Sequence, residues 1–246
     1  MKPILLTLFL LLFFVSPAGA QQSDDLRYYD IGSPTLTDVY VDPVNGNDAN
    51  AGDSAQTALR TITEAWQRIP MGVELTTGYH IHLAAGEYGE ETIPVYWESR
   101  YGTEAYPIMI MGADASAAVL TAPINLFDSR YVYFADFQLH PGVDAFHCER
   151  CDYVLLRNLT ISGADPETYQ SQETVKFNQS THIYIEDSDI SGAWDNALDF
   201  VAVQHGQVID STIHNAGDWC AYAKGGSAYI TYERNEFYDC GTGGFS

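Results

Sequence analysis

Basic residues are scarce in this chain: 11 Lys and Arg stand against 33 Asp and Glu, for a formal net charge of −22. An acidic surface of that order repels phosphate backbones and anionic headgroups, which excludes nucleic acid and membrane as partners. Neutral ligands and cations stay open, whereas a strongly anionic polymer would need local Lys, Arg or bound metal to enter the field. Long apolar runs are scarce too. The clearest, Ile4 to Val15, follows Lys2, precedes Ala18-Gly-Ala20 and is too short for a comfortable membrane span. Residues 1–20 therefore read as a signal peptide, with no Cys after the cleavage site to carry a lipid. The mature chain is expected to be secreted or periplasmic and monomeric.

Cysteine is limited to Cys148, Cys151, Cys220 and Cys240, in a chain that matures in an oxidising compartment. Cys148-x-x-Cys151 has the spacing of a redox dithiol or of half a zinc site, but a second half-site is missing, and a structural role is expected. A bridge between Cys220 and Cys240 is open, and the connectivity is not deducible from sequence.

Helical faces are missing from Phe134 to Ser246: no apolar stripe of helical period and length occurs there. What is present is one short phrase written five times. An alternating apolar run leads to a polar corner and then to an apolar anchor. The corners are Asp136, Asn158, Asp187, Asp210 and Arg234, and the anchors Leu139, Ile161, Ile190, Ile213 and Phe237 lie 22, 29, 23 and 24 residues apart. Such a period signals a repeat architecture, and strand-like runs within it select an all-β right-handed parallel β-helix. Asn and Asp suit the corner because they tolerate left-handed backbone and bond their own main chain. Cys148 falls in register with Phe177 and Phe200, an interior position.

Before the repeats, residues 21–38 read as a flexible N-terminal segment and 39–246 as the β-helix domain. Val39 to Pro43 is a first strand. Ala58 to Ile69 places Leu59, Ile62, Trp66 and Ile69 on one helical face that Pro70 ends, an N-terminal helix capping the open coil. Gly241 to Ser246 begins a further turn, so the domain is expected to be truncated at its C-terminal end.

Tyr40-Val-Asp-Pro-Val-Asn-Gly-Asn-Asp48, Gly52, Leu59-Arg-Thr-Ile62 with Ala65, Ile81-His-Leu-Ala-Ala-Gly-Glu-Tyr88, Tyr101-Gly-Thr103 and Tyr106-Pro-Ile-Met-Ile110 together resemble the opening of secreted pectate-lyase-like parallel β-helix proteins. Trp194 to Asp199, Asp218 to Ser227 and Cys240 to Phe245 resemble a group of uncharacterised bacterial β-helix proteins, a likeness that supplies no chemistry. The resemblance spans Val39 to Ser246 and implies a secreted, polysaccharide-active protein. Lyases of this fold neutralise a uronate carboxylate with Ca2+ and remove the adjacent proton with Lys or Arg. The dense Asp-Asp-x-x-Asp cluster of family 9 lyases is missing.

Same-phase residues of successive turns form outward columns. Register puts His147, Lys176, Asp199 and Ala223 in one column, bordered by Asp144, Asp195, Asp218 and Lys224. In the lyase reading Lys224, or else Lys176, is the base and needs a depressed pKa, with Asp199 a further catalytic candidate. Asp195, Asp199 and Asp218 would hold Ca2+, while Trp194, Trp219 and His147 would bind sugar. Two alternatives stand beside it: paired carboxylates hydrolysing a glycosidic bond, or a non-catalytic carbohydrate-binding or adhesion module. Lys224 also has a structural reading, pairing with Asp199 or Asp218 at the Gly225-Gly226 turn.

Overall fold

A computed structural model describes residues 27–167 and 172–246. Residues 1–20, expected to be a signal peptide, lie outside them. Three parallel sheets run the length of the molecule. Sheet A has eight strands, from Leu36–Val41 to Ala228–Glu233, and sheets B and C have seven each. Sheet B runs from Gly86–Tyr88 to Glu236–Cys240, and sheet C from Trp97–Glu98 to Gly243–Phe245. The chain visits A, B and C in turn and then starts the next coil, pairing each strand with its counterparts above and below. This is a right-handed parallel β-helix.

The anchors pile into one internal file. Leu139, Ile161, Ile190, Ile213 and Phe237 are successive register partners in sheet B. Leu120 and Tyr88 extend the file below them. A second inward file in sheet C holds Trp97, Leu126, Cys148, Phe177 and Phe200. Each turn buries its apolar face only because the next turn covers it, the condition that makes a repeat protein stable as a stack.

All five corner residues take left-handed backbone, with φ between 46° and 61°. Asn158 Nδ2 also donates to Asp136 Oδ1 of the turn below at 2.6 Å, and Arg234 grips Asp210 through two nitrogens at 2.7 and 2.9 Å. The corner from C to A is also left-handed, at Asp128, Arg150, Gln179 and Ala202. Just after it, Tyr131, Tyr153, His182, His205 and Tyr229, again with positive φ, stack their rings face to face along the coil.

The cap is shorter than its apolar spacing suggests. The α-helix is Ile62–Gln67, started by the Thr61 hydroxyl accepting from Glu64 N, while Leu59 bridges to Val41 as extended chain. Its Ile62, Ala65 and Trp66 are buried, and Trp66 meets Trp97 of the end strand of sheet C edge-on. The preceding segment is held in place over residues 27–35. Tyr29 N donates to Glu186, Arg157 donates to Tyr29 O, and the Tyr29 ring covers Tyr133 and Tyr184 on the outer face of sheet A. The first strand starts at Leu36. Of residues 21–38 the structure describes 27–38, which contacts tie to sheet A across several turns.

Disulfides join Cys148 to Cys151 and Cys220 to Cys240. The Cys-x-x-Cys pair closes the corner between sheets C and A rather than binding metal.

Candidate functional site

The outward column of sheet C is Asn125, His147, Lys176, Asp199 and Tyr222. Ala223, expected in this column, instead pairs with the inward Phe200. The turns here repeat every 23 residues, so the partner of Asp199 is Tyr222, one place earlier than the sequence reading had it.

Asp199 is the centre of the site. Although it points away from the core, it is fully buried, because Lys176 and Tyr222 lie beside it and Lys224 folds over it. Lys224 Nζ stands 2.8 Å from Asp199 Oδ2 and Lys176 Nζ 3.9 Å from the same oxygen. The chain has only three lysines, Lys2, Lys176 and Lys224. Lys176 and Lys224, the two among the described residues, therefore converge on one carboxylate. Glu173, at 5% exposure, completes the group: its Oε1 accepts from Lys176 Nζ at 2.8 Å, and its carboxylate lies against that of Asp199.

These contacts set the protonation. Burial pushes the Asp199 carboxyl up to about 6, with Lys224 pulling it down and Glu173 pushing it up again. Burial also works against the Lys224 ammonium, but Asp199 outweighs it and the pKa is raised. The depressed pKa expected of a lysine base is thus not found at Lys224. Asp195, at the mouth of the site, is raised by burial and then by Glu173.

The remaining expected residues spread around this centre. His147 is half-buried, its pKa lowered by burial, with its Nε2 3.1 Å from Asn178 Nδ2. Trp219 lies parallel to Tyr222 with ring centroids 6.1 Å apart, and its backbone N–H donates to the buried Asn196 Oδ1. Lys224 Nζ sits 5.0 Å above the Tyr222 ring. Trp194 is 43% exposed on the turn leading into the same strand. Asp218 N donates to Asp195 O, which ties those two turns together. A surface hollow of about 950 Å3 is lined by Ser162, Gly163, Asn215 and Gly217 at the B-to-C corners and contains none of these charged groups.

Calcium fits this arrangement poorly. It asks for six to eight oxygens, yet Asp199 faces two ammonium groups. Asp195, Asp199 and Asp218 do not form a group of converging ligand atoms, whereas Asp38, His80 and His82 do. No chemical step is routed through a metal here.

Glu173 and Asp38, His80 and His82 escaped the sequence reading. Glu173 opens its strand in the register of Asn196, a signal readable only once the pairing is fixed.

No family model and no curated protein matches the chain. Among solved structures it is similar to pectate lyase Pel9A at 15% identity and a TM-score of 0.48, over 75% of this chain and 55% of that one. It is similar to a candidate glycosyl hydrolase from Parabacteroides merdae at 9% identity and a TM-score of 0.46, over 64% and 80%. A rhamnogalacturonan lyase aligns at 10% identity and a TM-score of 0.39, over 85% and 62%. The chain thus spans about half the length of the first of these.

Proposed function

We propose that this is a secreted, polysaccharide-active protein whose reacting centre is Asp199 with Lys176 and Lys224, acting by proton transfer on a uronic-acid polymer. The observation that carries the reading is Asp199: fully buried, with a pKa pushed up to about 6 and two ammonium groups at 2.8 and 3.9 Å from one of its oxygens. A buried carboxylate so perturbed is costly to fold around, and such groups concentrate at functional sites.

Lys176 and Lys224 are the local cations that an anionic polymer needs on a molecule of charge −22. Two ammonium groups neutralise the substrate carboxylate and lower the barrier to removing the proton from the adjacent carbon. Asp199 accepts that proton, with a pKa near the working pH. The freed electron pair forms the double bond, the bond to the leaving sugar oxygen breaks, and solvent protonates that oxygen. Trp219 and Tyr222 offer a parallel aromatic surface for a sugar ring. Hydrolysis by paired carboxylates is less favoured, because Glu173 and Asp199 lie against each other while glycosidases separate theirs by about 5 Å or more.

The test is a panel of polyuronates and neutral polysaccharides incubated with the full-length protein, with and without chelator. The expected result is ultraviolet absorbance from unsaturated uronides that survives chelation, and a rate about 10²–10⁴-fold lower for Asp199→Asn. Absorbance abolished by chelator would restore the calcium route on Asp195, Asp199 and Asp218. Reducing ends without absorbance would make the protein a hydrolase, and glycan binding with neither product would make it a binding module.

A further inference from the structure

At the first turn of sheet A, far from Asp199 along the coil, two histidines and an aspartate meet. His80 and His82 occupy alternate positions of the strand Gly78–Leu83 and so project from the same face. Asp38, on the strand Leu36–Val41, is the register partner of His80. His82 Nε2 lies 2.7 Å from Asp38 Oδ1 and His80 Nδ1 lies 3.8 Å from the same oxygen. The imidazole centroids are 3.6 Å apart. Ligands on a tetrahedral zinc-type ion stand about 3.4 Å from one another, so the observed separations bracket what one ion requires.

Two further features point to a ligand rather than to an ordinary surface pair. Tyr40 stacks on His82 with centroids 4.4 Å apart and planes within 9°, which fixes the ring orientation before anything binds. The side chains are half open, at 22% for His80, 32% for His82 and 53% for Asp38, leaving coordination positions to solvent. The other His–Asp contacts of the molecule, His182 with Asp152 and His214 with Asp189, have a single imidazole each. Among the described residues, Asp38, His80 and His82 are the one group of three whose ligand atoms all come within 4.8 Å of each other.

We propose that Asp38, His80 and His82 form a site for one divalent transition-metal ion of the imidazole-preferring class. Copper(II) heads the choice and zinc(II) follows, since copper leads the affinity order for such donors. Met109 and Met111 are the register partners of His80 and His82 on the next strand, which gives the site an apolar flank. The ion would cross-link the two strands at the first end of sheet A.

The experiment is calorimetric titration of the metal-stripped, full-length protein with copper(II), with zinc(II) and with calcium(II) as a control. Expected are one tight equivalent of copper, weaker zinc, no calcium, and a copper resonance spectrum carrying two nitrogen ligands. The double variant His80→Gln/His82→Gln should weaken copper binding by at least about tenfold while keeping the far-ultraviolet spectrum of the parent. His214→Gln should bind copper as the parent does. Binding unchanged in the double variant, or a spectrum with fewer than two nitrogens, would overturn the site, as would a parent that binds copper no better than calcium.

Discussion

At the scale of single residues, Asp199 makes stability and function oppose each other. Its ordinary pKa of 3.8 is raised to about 6 in the fold, so the folded protein holds a proton there that the unfolded chain has released. Stability attached to this group is therefore full below about pH 4, falls as pH rises to about 6, and stays low above it, a total of about 3 kcal/mol. Asp199→Asn should flatten that part of the curve and raise stability at pH 7 while slowing turnover about 10²–10⁴-fold, as urea denaturation across pH and the polyuronate assay would show. A second residue-scale prediction concerns Arg157, whose guanidinium meets the fully buried Glu186 at 2.6 Å. Burial raises the Glu186 pKa despite that contact. Arg157→Ala should cost about 3–5 kcal/mol at pH 7, where Glu186 is left charged and unpaired. The cost should shrink at pH 4, where Glu186 takes up a proton. Of these groups the sequence displayed Asp199 and Lys224 through register, but not Glu173, whose approach depends on the turn above being laid down in place.

At the scale of elements, the corner between sheets A and B was legible because its cause is local. Asp136, Asn158, Asp187 and Asp210 are residue types that accept left-handed backbone, and all have positive φ. Asn158→Val should cost about 1–2 kcal/mol, since a branched Cβ collides with its own carbonyl at φ 52°, and Asn158→Gly should cost less. Chemical denaturation of the two variants compares them directly. The stacked column of Tyr131, Tyr153, His182, His205 and Tyr229 was not legible, because aromatic residues give no warning of left-handed geometry and the stack becomes visible only through strand pairing. The helix was read too long for a related reason. Leu59 has helical spacing from Ile62 and Trp66, yet the bridge to Val41 holds it in extended form, a tertiary contact overriding a periodic pattern.

At the scale of the whole molecule, a coil whose turns touch only their neighbours loses structure from its ends inward. The Cys220–Cys240 bridge closes a 20-residue separation within the last coil, tying sheet C to sheet B there. Cys220→Ser/Cys240→Ser should cost about 3 kcal/mol of local stability. Hydrogen exchange should speed up at Trp219–Lys224 and Glu236–Cys240 and stay unchanged at Arg130–Ala135. The resemblance read from Tyr40 to Ile110 and the period of the anchors pointed to the same coil that the three sheets display. Sequence alone determined that coil, its inward files and its turning points, because alternation, period and corner chemistry are written within a few consecutive residues. Only the tertiary structure decided that Lys176 and Lys224 both fall on Asp199, that this outward aspartate is buried, and that His82 meets Asp38 across 44 positions. Those meetings depend on pairing register and on unequal loops between strands, and neither quantity is carried by any short stretch of chain.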